Sequence, residues 1–338
     1  MNSPRALFAA AAAIFTLTAC DVPTEPPMFE PRWIVPVNET SLSVDELLPA
    51  GVTVSGEAFD VSVDPVSVVE TLGDLCPDCL DSGGFAVEVP PFSGDFVSIQ
   101  ALPAEVLSAE VSGGSVEIEI LNGFTFDPLD NGGSVTITIA DDLTGEVLGE
   151  VVLEDPADDL PPNVPVARTL SVQPGSITGP IRATTSVDAQ GGQTAEIDTS
   201  DLIEVTATVQ SLLVSSVTVD VGSRTVTIDE QEIGLEDIEQ DIAERIVEGS
   251  IILDIDNPFG VSLDGTIEIG STSRSISITD ASTSTVTLSY TGDELRSFIG
   301  QPNVLFSGSG VANGDSVTIR PGQVMLLEAT LDFTILIG

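Results

Sequence analysis

Three sets of residues have types and spacings that could do chemistry. Cys76 and Cys79 stand three apart in "LCPDCL", the spacing of a redox pair or of half a zinc site. Asp254 and Asp256 alternate in "LDIDN", so on a strand both carboxylates face the same way and could meet a divalent cation such as calcium. The third set is a phrase used twice. "GSVEIEILNGFTF" from Gly114 and "GSIILDIDNPFGV" from Gly249 share Gly, Ser, Ile, Asn and Phe at the same offsets. Asn122, Phe124, Asn257 and Phe259 therefore mark either a ligand site or a fold built twice.

The residue types missing from the chain narrow these options. It has no His and no Lys, so Ser-His-Asp and Cys-His nucleophiles, Lys-dependent catalysis and His-ligated metals are all out of reach. Paired carboxylates could still work as acid and base on a sugar, but one Trp, one Tyr and 13 Phe offer few aromatic platforms. The expectation is a protein that is not an enzyme and has no cofactor apart from a possible calcium ion. For calcium, the turns "DPLDNGG" and "DDLTGE" join Asp254 and Asp256 as carboxylate-rich places. None has EF-hand spacing, since Pro258 and Phe259 stand where ligands are needed.

Cys76 and Cys79 lie in "VVETLGDLCPDCLDSGG", among strand signals and Gly turns. A thioredoxin-like pair opens a helix after a strand, and a zinc site needs further Cys or His. The only other Cys is Cys20. A local disulfide in an oxidising compartment is the expected state.

In the repeated phrase each strand is interrupted at Asn. Asn122-Gly123 tolerates positive φ and favours a tight turn or bulge. In the second copy Pro258 has no N–H and holds Asn257 extended. Different chemistry breaks the ladder at the same place, and Phe124 or Phe259 then returns to the core. A strand break with a core anchor is the simpler reading of both copies.

Composition fixes what surrounds these residues. The 54 acidic side chains face nine basic ones, all Arg, for a net charge of −45. Such a surface repels nucleic acid and other polyanions, so no nucleic-acid partner is expected. Apolar residues are 42% of the chain and the mean hydropathy is positive, enough for a real core rather than disorder. Val, Ile and Leu alternate with Thr and Ser in "SVEIEI", "SVTITI", "SVTVDV", "STVTLSY" and the C-terminal "LEATLDFTILI". Period two between Gly-rich turns predicts a mainly β protein made of antiparallel β-sandwich modules, two in number.

One segment breaks that pattern. "GLEDIEQDIAERIVEG" places Ile238, Ile242 and Ile246 four apart with Gly249 beyond, which predicts one short amphipathic helix near 236–247. A helical turn is also readable at "SVDELL", with Ser43 and Glu46 as a capping box. The Pro-rich acidic run "EDPADDLPPNVP" predicts a linker over 154–165, separating a first module at 32–153 from a second at 166–338, with a long loop inside one sandwich as the alternative.

The N-terminal residues read as an address. Arg5 precedes an apolar run from Ala6 to Ala19, too short to span a bilayer but suited to a signal peptide over 1–19. It ends in "LTAC", Leu17 to Cys20, which resembles the lipobox of bacterial lipoproteins. The resemblance implies cleavage before Cys20, acylation of that residue, and a membrane partner reached through the lipid anchor. Residues 20–31 then hold the lipidated Cys and a Pro-rich tether, "DVPTEPPMFEP". The implied location is the cell envelope, periplasmic or surface-exposed; Asp21 favours the inner membrane only under a sorting rule that differs between bacterial groups.

A hydrophobic alternating strand ending in "NPF" before a second strand resembles the LEA-2/WHy family of β-sandwich domains, over about 247–278 and more faintly 111–139. That resemblance implies a non-catalytic sandwich with membrane-associated or stress-protective roles, and brings no catalytic residues. Gly123 in place of Pro in the first copy departs from it. The tubular lipid-binding fold is a second likeness and implies an apolar-ligand carrier, although a single short helix suits it poorly. An outer-membrane barrel is excluded by the missing aromatic girdles.

Overall fold

The computed structural model describes residues 28–82, 85–233, 235, 238–301 and 304–337. Cys20, the expected signal peptide and most of the expected Pro-rich tether lie outside them. The described chain is mainly β, as its alternation predicts. Sixteen principal strands come first as β1 (Arg32–Ser43), β2 (Val66–Thr71), β3 (Phe92–Gln100), β4 (Val106–Asn122) and β5 (Ser134–Asp141). They continue as β6 (Val147–Glu154), β7 (Pro165–Val172), β8 (Ile181–Ala189), β9 (Leu202–Val219) and β10 (Gly222–Ile233). The last are β11 (Ile246–Asp256), β12 (Ser262–Ile269), β13 (Thr272–Ile278), β14 (Thr283–Thr291), β15 (Val304–Gly314) and β16 (Val324–Ile335).

Strand pairing sorts these into two sandwiches. In the first, β7-β4-β9-β2 forms one sheet and β3-β8-β5-β6 the other. In the second, β1-β16-β11-β14 forms one sheet and β10-β15-β12-β13 the other. Every pairing is antiparallel. If each sandwich's strands are numbered in its own chain order, both have the same sheet orders, 1-8-3-6 and 2-7-4-5. This is the connectivity of an eight-stranded jelly roll. The repeated phrase supplies the third strand of each roll and the crossover to its fourth.

The alternation becomes core directly. Val116, Ile118 and Ile120 of β4 and Val135, Ile137 and Ile139 of β5 are buried between the sheets of the first roll. Ile251, Leu253, Ile255, Leu327, Leu331 and Phe333 do the same in the second. Their polar neighbours face out, so one face of each sheet is wet.

The two rolls are not consecutive in sequence, and the expected linker is not a boundary. β7, β8 and β9 follow residues 154–165, yet they hydrogen-bond to β4, β3 and β5, which precede them. That segment is a loop of the first roll, with Leu160 fully buried. The second roll takes its first strand, β1, from the start of the chain and the rest from residue 222 onward, so the first roll is inserted between them. A short strand, Val317–Ile319, extends the first roll's sheet by pairing with β9. The Pro and acid signal at 154–165 is real, but it records a loop whose ends are held by long-range pairing. Local composition cannot distinguish that from a tether.

The helix near 236–247 is also corrected. Among the described residues of this segment, Gln240–Ala243 is helical, and the strand β11 already begins at Ile246. Ile246 is buried and pairs with Ile335 of β16. Gly249, expected as a helix stop, lies within the strand, where a Cβ would come within 2.5 Å of the Asp332 carbonyl oxygen. Pairing with β16 and β14 outweighs one face of helical periodicity. The Ser43–Glu46 capping box is absent too. A 3₁₀ turn spans Val44–Glu46 without a side-chain cap, and Glu46 accepts from the Thr227 backbone N–H instead. A full capping box occurs at Thr291 and Glu294 before Gly292–Arg296.

Cleaving the chain within residues 155–164 tests the corrected boundary. The two fragments are expected to stay together on size-exclusion chromatography without denaturant, because β7, β8 and β9 remain paired across the cut. Fragments that separate would restore the linker.

Candidate functional site

The repeated phrase is a backbone clamp in each roll. A strand leaving one sheet for the facing one takes its peptide groups through apolar interior, where an unpaired group costs about 1–3 kcal/mol. Asn122 is fully buried at the end of β4. Its Nδ2 donates to the Phe126 carbonyl at 2.8 Å and the Leu160 carbonyl at 2.7 Å. Its Oδ1 accepts from the Phe124 N–H at 2.9 Å. The Asn122 carbonyl also accepts from the Asn163 N–H. One side chain thus ties the crossover to the 155–164 loop.

Asn257 repeats the arrangement at the end of β11, 1% exposed. Its Nδ2 donates to the Val261 carbonyl at 2.8 Å, again four residues on, and to the Thr279 carbonyl at 3.2 Å. Its backbone N–H reaches the Ser282 carbonyl. The loop held here leads into β14, as the 155–164 loop leads into β7. The copies differ in detail: the buried Asn257 Oδ1 has no hydrogen-bond partner. At Gly123, a Cβ would lie 2.5 Å from the Leu202 carbonyl oxygen, so the first copy requires Gly where the second has Pro258.

Phe124 and Phe259 are both buried. Phe124 joins Phe92 and Phe126, with ring centroids 6.5 and 5.5 Å away. Both Asn and both Phe therefore face protein, not solvent. Truncating Asn122 to Ala strands three backbone groups and is expected to cost about 3 kcal/mol. Asn257→Ala strands two and should cost about 2 kcal/mol. Urea denaturation of each variant measures this, and equal or negligible losses would remove the clamp reading.

Asp254 and Asp256 are exposed on the outer face of β11. Asp254 accepts from the Thr285 hydroxyl at 2.7 Å. The register sets Asp254 opposite Glu328 and Glu328 opposite Glu39, a row of carboxylates that period-two reading of single strands could not reveal. Asp254 and Glu328 line an open groove with Asp256, Thr283 and Leu326. Among the described residues, no group of three or more His, Cys, Asp or Glu is arranged to hold a metal ion.

The acidic turns are occupied by backbone donors. Asp127 of "DPLDNGG" accepts from the N–H groups of Leu129 and Leu160. Asp141 of "DDLTGE" is fully buried. Its Oδ1 accepts from the Leu143 and Thr144 N–H groups and the Thr144 hydroxyl, and its Oδ2 from the Thr178 and Gly179 N–H groups. Burial alone would raise its pKa, but the hydrogen bonds from Thr144, Thr178 and Gly179 prevail and lower it from 3.8 to about 2. Because the folded value lies below the unfolded one, this stabilisation is complete above pH 4 and fades as pH falls towards 2. Urea unfolding between pH 5 and pH 2 is expected to show a flatter loss of stability for Asp141→Asn than for the native chain. An unchanged slope would contradict it.

Cys76 and Cys79 form a disulfide, both side chains buried, next to the helical turn Leu72–Leu75. Between the sheets of the first roll lies an apolar cavity of about 40 Å³, lined by Val116, Ile139, Leu148, Val209 and Leu212 among others. The corresponding space in the second roll, by Leu253, Phe306 and Leu327, is about 10 Å³. No helix among the described residues is long and apolar enough to cross a membrane.

No protein-family model matches the chain, and no curated protein matches it. Solved structures with some similarity include a "putative secreted protein" from Parabacteroides distasonis, at 9% identity and a TM-score of 0.32, covering 90% of this chain and 99% of that one. Broad bean stain virus is another, at 11% identity and a TM-score of 0.23, covering 88% of this chain and 94% of that one. The cowpea mosaic virus top component matches at 9% identity with a TM-score of 0.18, covering 76% and 92%.

Proposed function

We propose that this is a lipid-anchored cell-envelope protein whose two jelly rolls serve a non-catalytic structural or binding role at a membrane surface. The observation that carries this reading is the "LTAC" sequence at Leu17–Cys20, directly after a short apolar run. Acylation of Cys20 would hold the rolls at the bilayer stably, since two or more acyl chains exceed the marginal binding of one. The disulfide between buried Cys76 and Cys79 fits an oxidising compartment. The small residual cavities, about 40 and 10 Å³, favour a structural role over an apolar-ligand carrier. Ligand pockets are usually about 300–1,000 Å³. The Asn-Pro-Phe likeness to LEA-2/WHy domains agrees with a non-catalytic role.

Mass spectrometry of the protein purified from its own host is expected to find Cys20 at the mature N-terminus carrying acyl groups. Cys20→Ala should accumulate as unprocessed precursor that retains residues 1–19. An unmodified Cys20, or a mature N-terminus elsewhere, would overturn the anchor.

A further inference from the structure

Exposed apolar side chains gather where the described chain begins. Phe29 and Ile337 exchange both backbone hydrogen bonds, each at 2.9 Å, so the two ends of the described residues lie against each other. Around this pair Met28, Phe29 and Ile34 are 68%, 62% and 64% exposed, and Trp33, Leu336 and Ile337 about 40%. Trp33, the only Trp of the chain, packs one side of its ring on Phe333, with centroids 6.2 Å apart. The Leu336 N–H bonds to the Arg245 carbonyl. This brings the patch to the start of β11, where Arg296 donates to the Ile246 carbonyl. Trp33 pairs with Phe333 and Ile34 with Asp332, so these two project from opposite faces of the edge strand β1. A Trp, a Phe, a Met and aliphatic residues exposed at one end of an edge strand, with Arg at the rim, is a composition suited to the interfacial zone of a bilayer.

The chain's own geometry identifies the occupant. Met28 follows Cys20 by eight residues, a reach of at most ~30 Å for a fully extended chain. On the reading that Cys20 is acylated, the bilayer surface cannot be farther from this patch than that. We infer that the end of the second roll formed by Met28, Phe29, Trp33, Ile34, Leu336 and Ile337 docks on the lipid surface and orients both rolls on the membrane. The attraction is apolar, not electrostatic. Arg245 lies against Leu336 and Arg296 against Ile246, and Arg32 and Arg296 are paired with Asp332 and Asp293. Zwitterionic lipid should therefore be bound at least as well as anionic lipid, a pattern opposite to that of polybasic membrane segments.

Trp33 is the built-in reporter. The acylated full-length protein is reconstituted in phosphatidylcholine vesicles, and its Trp emission is compared with that in vesicles of brominated phosphatidylcholine. Emission is expected to drop at least twofold in the brominated vesicles, and to change no more when phosphatidylglycerol is added. Met28→Ser/Phe29→Ser/Ile34→Ser, exposed positions whose thermal melt should not change, is expected to abolish most of the quenching while the acyl anchor keeps the protein on the vesicles. Unquenched Trp33 in protein whose Cys20 acylation is confirmed by mass overturns the docking surface and leaves the anchor standing. Lack of acylation overturns the anchor first. A dimer in analytical ultracentrifugation that buries Trp33 without lipid would assign the patch to a second copy and overturn the inference.

Discussion

Everything in this fold depends on how a strand crosses from one buried sheet to the facing one. Between the sheets there is no water to satisfy peptide groups, so a crossing segment must be given donors and acceptors or the roll cannot close. Asn122 and Asn257 provide them. Each sends its amide N–H groups to a carbonyl four residues ahead and to a second carbonyl in the loop that returns the chain to the first sheet. Phe124 and Phe259 then fill the interior beside the crossing. The Asn and Phe that both copies share are the residues this closure uses in each roll.

The same requirement accounts for the carboxylates that look most like chemistry. Asp141 and Asp127 are held by backbone N–H groups at turns, and their charge balances donors that would otherwise be buried unpaired. In a chain with 54 acids, buried Asp141 organises a turn, buried Asp332 on β16 pairs with Arg32, and Asp254, Asp256 and Glu328 lie on an outer face. Like charges opposite one another, as at Asp254, Glu328 and Glu39, destabilise a sheet modestly. An electronegative coat of this kind leaves few places where the protein can meet another surface closely, and the apolar end beside Phe29 and Ile337 is one of them.

Much of this was legible in the residues. Alternation identified the core of β4, β5, β11 and β16 nearly position by position, because side-chain direction in a strand is a local property. The Asn-Gly and Asn-Pro breaks were readable as interruptions for the same reason. The capping box at Thr291–Glu294 follows the S/T-x-x-E pattern. What the Asn side chains bind was not legible, since Leu160 and Thr279 lie 38 and 22 residues away. Nor was the acid row, which exists only once β1, β16 and β11 are in register.

By itself the sequence determined the class of structure, the faces of its strands and the two-fold use of one phrase. Tertiary structure alone decided which strands pair, and so where the domains begin and end. β1 finds β16 about 300 residues away, with Arg32 hydrogen-bonded to Asp332, and this encloses the entire first roll between two strands of the second. The physical reason is that strand pairing is chosen by the burial of whole sheets, whereas proline, charge and helical periodicity act over a few residues. Hence the loop at 154–165 could look like a linker, and the start of β11 like a helix, until their partners were in place.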